Sequence, residues 1–170
     1  MKKLALSILA VFIAVPALVL GQNKYVGVKQ CMPCHKTEKL GGTAYVVWEK
    51  TPHAKAFDAL KTKEADAIAT KAGSTKPAAE TAECVTCHVT GTNKPEEGVS
   101  CEACHGAGSA YKAVHAKKDA DDKAKAGAGM VMGDALKKAC TDCHNEKSPN
   151  FKSFDYAKMW EKIAHSGKKI

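Results

Sequence analysis

The chain has 170 residues, a formal net charge of +8 and an aromatic fraction of only 6%. All of its basic residues are lysine, and neither arginine nor a concentrated basic surface with aromatic readers is present, which excludes a nucleic-acid role. Solvated lysines that dock acidic partners are the reading left for the charge.

In chain order, "MKK" precedes the apolar run "LALSILAVFIAVPALVLG", which ends in small residues around Val19 to Gly21. A basic segment followed by an apolar one reads as a secretory signal peptide over 1–21, with cleavage after Gly21 leaving Gln22 at the mature N-terminus. The run is near the lower limit for a membrane span, so an uncleaved anchor is the alternative. No cysteine follows it, which argues against a lipoprotein. The expectation is a single domain over 22–170, exported to the periplasm, with no stable membrane span after cleavage.

The first chemical motif is "CMPCH" at 31–35, and its spacing returns as "CVTCH" at 84–88, "CEACH" at 101–105 and "CTDCH" at 140–144. Together these use Cys31, Cys34, Cys84, Cys87, Cys101, Cys104, Cys140 and Cys143, which is every cysteine in the chain. A histidine after the second cysteine of every pair is what covalent haem attachment requires. The two thiols add to the two vinyl groups of one haem, and the adjacent histidine becomes the proximal ligand of its iron. Zinc modules do not demand that histidine four times over. A thioredoxin-like motif would appear once beside a βαβ pattern, and four disulfides would leave the histidines unexplained. The prediction is four covalently bound haem c groups, with His35, His88, His105 and His144 as proximal ligands. Export suits this, since c-type haem is attached outside the cytoplasm in bacteria.

Four haems in so short a chain must supply much of the apolar interior themselves. The apoprotein is therefore expected to be largely unfolded, and the rings can hardly avoid close approach. Loss of Lys2 and Lys3 with the leader, together with about eight ionised propionates, brings the holoprotein near neutrality.

Three histidines remain: His53, His115 and His165. Each iron has a sixth position to fill, and neutral imidazole is the commonest ligand for it. In "YVVWEKTPHAKAFDAL", Thr51 can cap a helix and Pro52 can open it, with His53 in the first turn and Phe57 and Leu60 along one apolar face. His115 lies four residues after Tyr111 in "SAYKAVHAKKDADDKAKAG", a helix-like run ended by glycines. His165 closes "FDYAKMWEKIAHSG", where Tyr156, Met159, Trp160 and Ile163 recur at helical spacing and Gly167 offers a C-cap. All three are expected on helices and aimed at iron. Three distal histidines for four irons leave one short. Either one haem is five-coordinate, high-spin and open to small molecules, or its sixth ligand is Met130, Met132, a lysine or a histidine of another molecule. The two methionines read better as loop or gap-filling residues, so an open iron is the preferred reading.

The stretch 60–83 reads as a polar, alanine-rich helix broken near Gly73, then a loop through Pro77. "NKPEEG" (93–98) is a loop, and "NEKSPNFKS" links the fourth motif to a final helix. No strand pattern of useful length appears. The expected fold is mainly α with long loops, a multihaem cytochrome c whose helices wrap around a compact four-haem cluster with little or no β.

With "CMPCHKTE", "WEKTPHAKAFDAL", "CVTCHVTG" and above all "EGVSCEACHGAGSAY" in hand, the chain resembles the tetrahaem cytochrome c-554 family known from ammonia-oxidising bacteria. The resemblance implies distal roles for His53, His115 and His165, and a five-coordinate haem at the motif ending in His88. It also implies closely packed haem pairs and electron relay from hydroxylamine oxidoreductase towards a quinone-linked chain. The chain departs from that pattern in a shorter segment between the third and fourth motifs, a shorter C-terminal tail and the lack of arginine. Related tetrahaem proteins occur in metal-reducing and other anaerobic bacteria, so ammonia oxidation does not follow.

Two function classes are weighed. A carrier would pass electrons between redox proteins, such as cytochromes, oxidoreductases or quinone-linked membrane complexes, and bis-histidine ligation suits it by blocking substrate access. An enzyme would reduce nitric oxide or nitrite at the open iron with the other haems as feeders. The carrier is the favoured reading. Sensing lacks an output domain, and filament assembly through a donated ligand fits poorly with seven histidines.

Overall fold

The computed structural model describes residues 23–40, 42–91 and 94–165. The leader expected at 1–21 and the C-cap expected at Gly167 lie outside the described residues. Regular structure among the described residues is helical throughout and no strand occurs, as the sequence predicts. No helix among them is long and apolar enough to cross a membrane.

The helices are short; Lys63–Lys71, at nine residues, is the longest. Pieces of that length are marginal in water on their own and hold only through caps and tertiary contacts. The Thr62 hydroxyl accepts from the Ala65 N–H at 3.1 Å, the Asp121 carboxylate from the Ala124 N–H at 2.7 Å, and Asp155 from the Lys158 N–H at 3.2 Å. Each satisfies one of the N–H groups that a first helical turn leaves without a partner.

The Asp121 cap changes one expectation. The run 109–127 is two helices, Gly108–His115 and Asp122–Gly127, because Asp121 takes an extended backbone and starts a new helix. The final helix is also shorter than expected. Tyr156–Ile163 ends with Ala164 extended (ψ 134°), so His165 lies just beyond the helix and not on it. His115 closes its helix, and His53 sits in the 3-10 turn Pro52–Lys55. Thr51 is the residue before that turn, but its hydroxyl donates back to the Trp48 carbonyl (2.8 Å) and does not cap forward.

Little apolar side-chain material is buried. Leu60, Ala69 and Ala78 form one small cluster, with Phe57, Ala65, Ala79, Cys84 and Val85 packed against it. It joins the turn after His53 to the start of the second motif. Asp66 anchors the same corner by accepting from the Ala78 N–H at 2.8 Å.

The rest is held largely by polar ties between distant segments. Glu102, only 2% exposed, accepts from the N–H groups of Val26 (2.9 and 3.1 Å), Gly27 (2.7 Å) and Gly108 (2.7 Å). Glu97 accepts from the Val28 N–H at 2.8 Å. The irregular segment before the first motif is thereby fastened to the second and third motifs' neighbourhood.

Leu60 is the largest member of the only buried cluster among the described residues. Leu60→Ala is expected to cost about 2–3 kcal/mol, at the low end for a buried leucine because small neighbours leave room to collapse. Denaturant unfolding of the holoprotein, followed by circular dichroism, measures it.

Candidate functional site

Each cysteine pair lies on one helical turn: Met32–His35, Ala82–His88 and Cys101–His105 hold the first three, and the fourth continues from Ala135–Thr141. The turn closes where the motif histidine's N–H donates to the first cysteine's carbonyl, at 3.1 Å for His35 to Cys31 and 2.9 Å for His144 to Cys140. Residues three apart on a helix share a face, so both thiols of a pair project together. None of the eight thiols is in a disulfide.

The seven histidines are all among the described residues, and six of them form three pairs. His35 and His115 lie with ring centroids 5.9 Å apart and planes at 5°. His144 and His53 are 5.9 Å apart at 64°, and His105 and His165 are 6.0 Å apart at 63°. Every pair joins one motif histidine to one of the three others. Two imidazoles bonded through nitrogen to a single metal at about 2 Å each place their ring centroids roughly 6 Å apart. The spacing matches what one metal held by both rings of a pair would require. His88 is the motif histidine outside these pairs.

Hydrogen bonds fix which ring nitrogen is available. A carbonyl only accepts, so Nδ1 carries the proton where His88 meets Ala56 O (2.8 Å), His105 meets Val131 O (3.0 Å), His115 meets Tyr111 O (3.1 Å) and His165 meets Ile163 O (2.9 Å). Nε2 is left with a lone pair for a metal, the arrangement that a ligating histidine usually has. Burial pushes the His53, His105 and His144 imidazoles below their usual range, with the neighbouring ring of each pair adding to the effect at His53 and His105. His144 takes its second contribution from His88. A neutral imidazole is the form that binds a metal.

The four motifs meet in an order different from that of the chain. The thiols of Cys31 and Cys101 share a hydrogen bond, which lowers the pKa of the first and raises that of the second. Cys143 is pushed up chiefly by burial and then by a hydrogen bond with Cys87, while Cys104 is raised by burial and by Cys140 beside it. The first motif thus adjoins the third, the third adjoins the fourth, and the fourth adjoins the second.

Several positioning residues carry no obvious sequence signal. Val131 clasps the third motif from both sides: its carbonyl takes the His105 Nδ1–H, and its N–H donates to the His105 carbonyl at 2.9 Å. The Met130 and Met132 considered as ligands flank this clasp. Gly106 makes it possible, since a Cβ there would lie 2.9 Å from the Gly129 carbonyl, in a backbone with φ +80°. Gly98 acts similarly beside His53. Its φ is +58°, and a Cβ would lie 2.6 Å from the His53 carbonyl and 3.1 Å from that of Ala54. The Val99 N–H donates to the His53 carbonyl at 2.9 Å, and the Trp48 indole N–H donates to the Val99 carbonyl at 2.8 Å. On the far side of the fourth motif, Phe154 stacks on His144 with centroids 4.6 Å apart.

A mainly helical fold among the described residues, with repeated cysteine-pair-histidine turns and facing imidazoles, is that of a c-type cytochrome, which carries covalently bound haem. Residues 30–106 match the family described as "Cytochrome c554 and c-prime". The cytochrome c-554 of Nitrosomonas europaea is 32% identical over 142 residues, covering 71% of this chain and 57% of that protein. The chain belongs to the cytochrome c-554 family. It spans just over half the length of the curated relative it matches. No solved structure matches it.

The Trp48 indole bond supports the strand of backbone that holds His53. Trp48→Phe keeps most of the ring but removes the donor, and is expected to lower stability by about 1 kcal/mol. Paired denaturation curves of the two holoproteins check it.

Proposed function

We propose that the chain is a periplasmic tetrahaem cytochrome that relays electrons between redox partners in a respiratory chain, with three bis-histidine haems and one five-coordinate haem. The observation that carries the reading is the set of three histidine pairs at 5.9–6.0 Å, each joining one motif histidine to one other. On this reading Cys31 and Cys34, Cys84 and Cys87, Cys101 and Cys104, and Cys140 and Cys143 each hold one haem. His35 and His115, His105 and His165, and His144 and His53 supply the paired ligands, and His88 binds its iron alone.

When bound, haem supplies one-electron exchange between ferric and ferrous iron. The protein's own residues hold and orient the imidazoles and fill the sixth position at three irons. The Ala56, Val131, Tyr111 and Ile163 carbonyls keep Nδ1 protonated and so leave Nε2 as ligand. A ligand set that stays the same in both oxidation states suits a carrier. The adjacency of motifs one, three, four and two supports a continuous route through the protein in that order. Exposed lysines around the first motif, Lys29, Lys36 and Lys39, suit an acidic redox partner.

A haem assay with low-temperature EPR, with and without nitric oxide, tests the reading. Four haems per chain and one high-spin signal that shifts with nitric oxide are expected, and fewer than four haems would overturn it. Four low-spin haems silent to nitric oxide would rule out the open iron at His88. The catalytic alternative, reduction of nitric oxide or nitrite at that iron, draws on His88 standing outside the three pairs. Holoprotein supplied with a reductant is expected to bind nitric oxide without consuming it, and sustained consumption would favour the enzyme.

Gly98→Ala gives a further check. The added methyl must push the His53 turn away, since both the φ and the 2.6 Å approach forbid it in place. A second high-spin haem is the expected EPR result, with the His35 and His105 haems unchanged.

A further inference from the structure

Glu102 is the largest fully buried side chain among the described residues, and it lies inside the third motif, between Cys101 and Cys104. Its partners are four contacts from three backbone N–H groups, with no ammonium group among them. Three neutral donors suit an acceptor-only carboxylate; the nearby Lys94 ammonium donates to the Val26 carbonyl at 3.2 Å and to no oxygen of Glu102, so the charge is offset only at a distance in a region where water cannot screen it.

The position of that charge is specific. Glu102 follows Cys101 directly in the chain. It also accepts from Gly27, whose carbonyl lies 3.9 Å from the Cys31 sulfur. Cys31 and Cys101 are themselves in contact. The carboxylate therefore sits between the attachment points of the first and third motifs, while the second and fourth motifs meet elsewhere, at Cys87 and Cys143. The Tyr111 phenol, on the same side, is pushed above its usual range by burial first, then by Cys31 and by Glu102. Glu97 is the nearest comparable carboxylate on this segment, but its side chain is 13% exposed and Lys94 lies 3.7 Å away to offset its charge.

We propose that Glu102 is a potential-setting residue, a fixed negative charge that lowers the reduction potentials of the haems attached at the first and third motifs relative to the other two. The inference rests on the haem assignment above. A ferric haem carries one more positive charge than a ferrous one, so a buried anion beside it favours the ferric state. Haems one and three thereby release electrons more readily towards haems four and two.

Spectroelectrochemical titration of the intact holoprotein, resolving four midpoints, tests this in three variants after a haem assay of each. Glu102→Gln is expected to raise two of the four midpoints well beyond the other two. Glu102→Asp loosens the same hydrogen bonds but keeps the charge, and is expected to leave all four near their original values. Ser109→Ala loosens the same junction, where the Ser109 hydroxyl accepts from the Lys24 N–H at 2.8 Å, without touching any charge. It too is expected to leave the midpoints in place. Unmoved or uniformly moved midpoints in Glu102→Gln would overturn the proposal. So would an upward shift of the same two midpoints in Glu102→Asp or Ser109→Ala, since the clamp and not the charge would then be responsible. If Glu102→Gln does not assemble, Glu102→Asp still puts the proposal at risk, since an upward shift of two midpoints there would assign the effect to the clamp. Fewer than four haems in the unaltered protein would instead sink the haem assignment itself.

Discussion

The segment 26–28 has to present its backbone N–H groups to something other than water, a helix or a sheet, and two carboxylates meet that need. Glu102 takes the N–H groups of Val26 and Gly27, and Glu97 takes that of Val28. An unmet buried N–H costs about 1–3 kcal/mol, so these residues decide where the first motif can lie. Once the segment is docked, Cys31 comes against Cys101 and His35 comes opposite His115. The contact is between parts of the chain some seventy residues apart, made by side-chain acceptors and not by a sheet.

The remainder of the architecture follows from scarcity of core. One cluster built on Leu60, Ala69 and Ala78, reaching Cys84 and Val85 of the second motif, is the one buried apolar cluster among the described residues. The amphipathic helix Tyr156–Ile163 sets Tyr156 under the Lys137 ammonium, just ahead of the fourth motif, with Trp160 stacked on Tyr156, and Met159 is left 37% exposed. In the proposed tetrahaem protein such surfaces have porphyrin to cover. Because the motifs adjoin in the order one, three, four, two, completing the interior requires contacts across most of the chain. In that proposed protein, haem attachment and folding would be two aspects of one process.

Much of this was legible from residue types and spacing. Four cysteine-pair-histidine turns announce covalent haem through their repetition, and family membership bears that chemistry out at the level of haem c. The helical class was readable because no alternating pattern competes with the 3.6-residue one. What spacing could not give was partnership. Nothing in the sequence around His53 says that it faces His144 and not His35, because that pairing depends on docking of distant segments. The end of the last helix was misjudged for a related reason: Ala164 is an excellent helix former, yet its extended backbone turns His165 towards His105. Asp121 split a run that looked continuous, since a short acidic side chain caps a helix better than it sits within one. Glu102 passed unnoticed because a glutamate in a motif's variable position looks like surface charge until its surroundings are known. Val131 was hidden between two methionines that drew attention as possible ligands, although its role lies entirely in its backbone.

The turn that bears His53 also bears the Ala56 carbonyl, which accepts from the His88 ring. One short piece of chain therefore sets an imidazole beside the fourth motif and holds the imidazole of the second. An inserted or deleted residue between positions 53 and 56 would rotate one relative to the other by about 120°, so a change of one residue in length cannot serve both. The spacing between the His144 and His88 surroundings is thus written here in the pitch of a single helical turn, a gauge that side-chain substitution alone cannot reset.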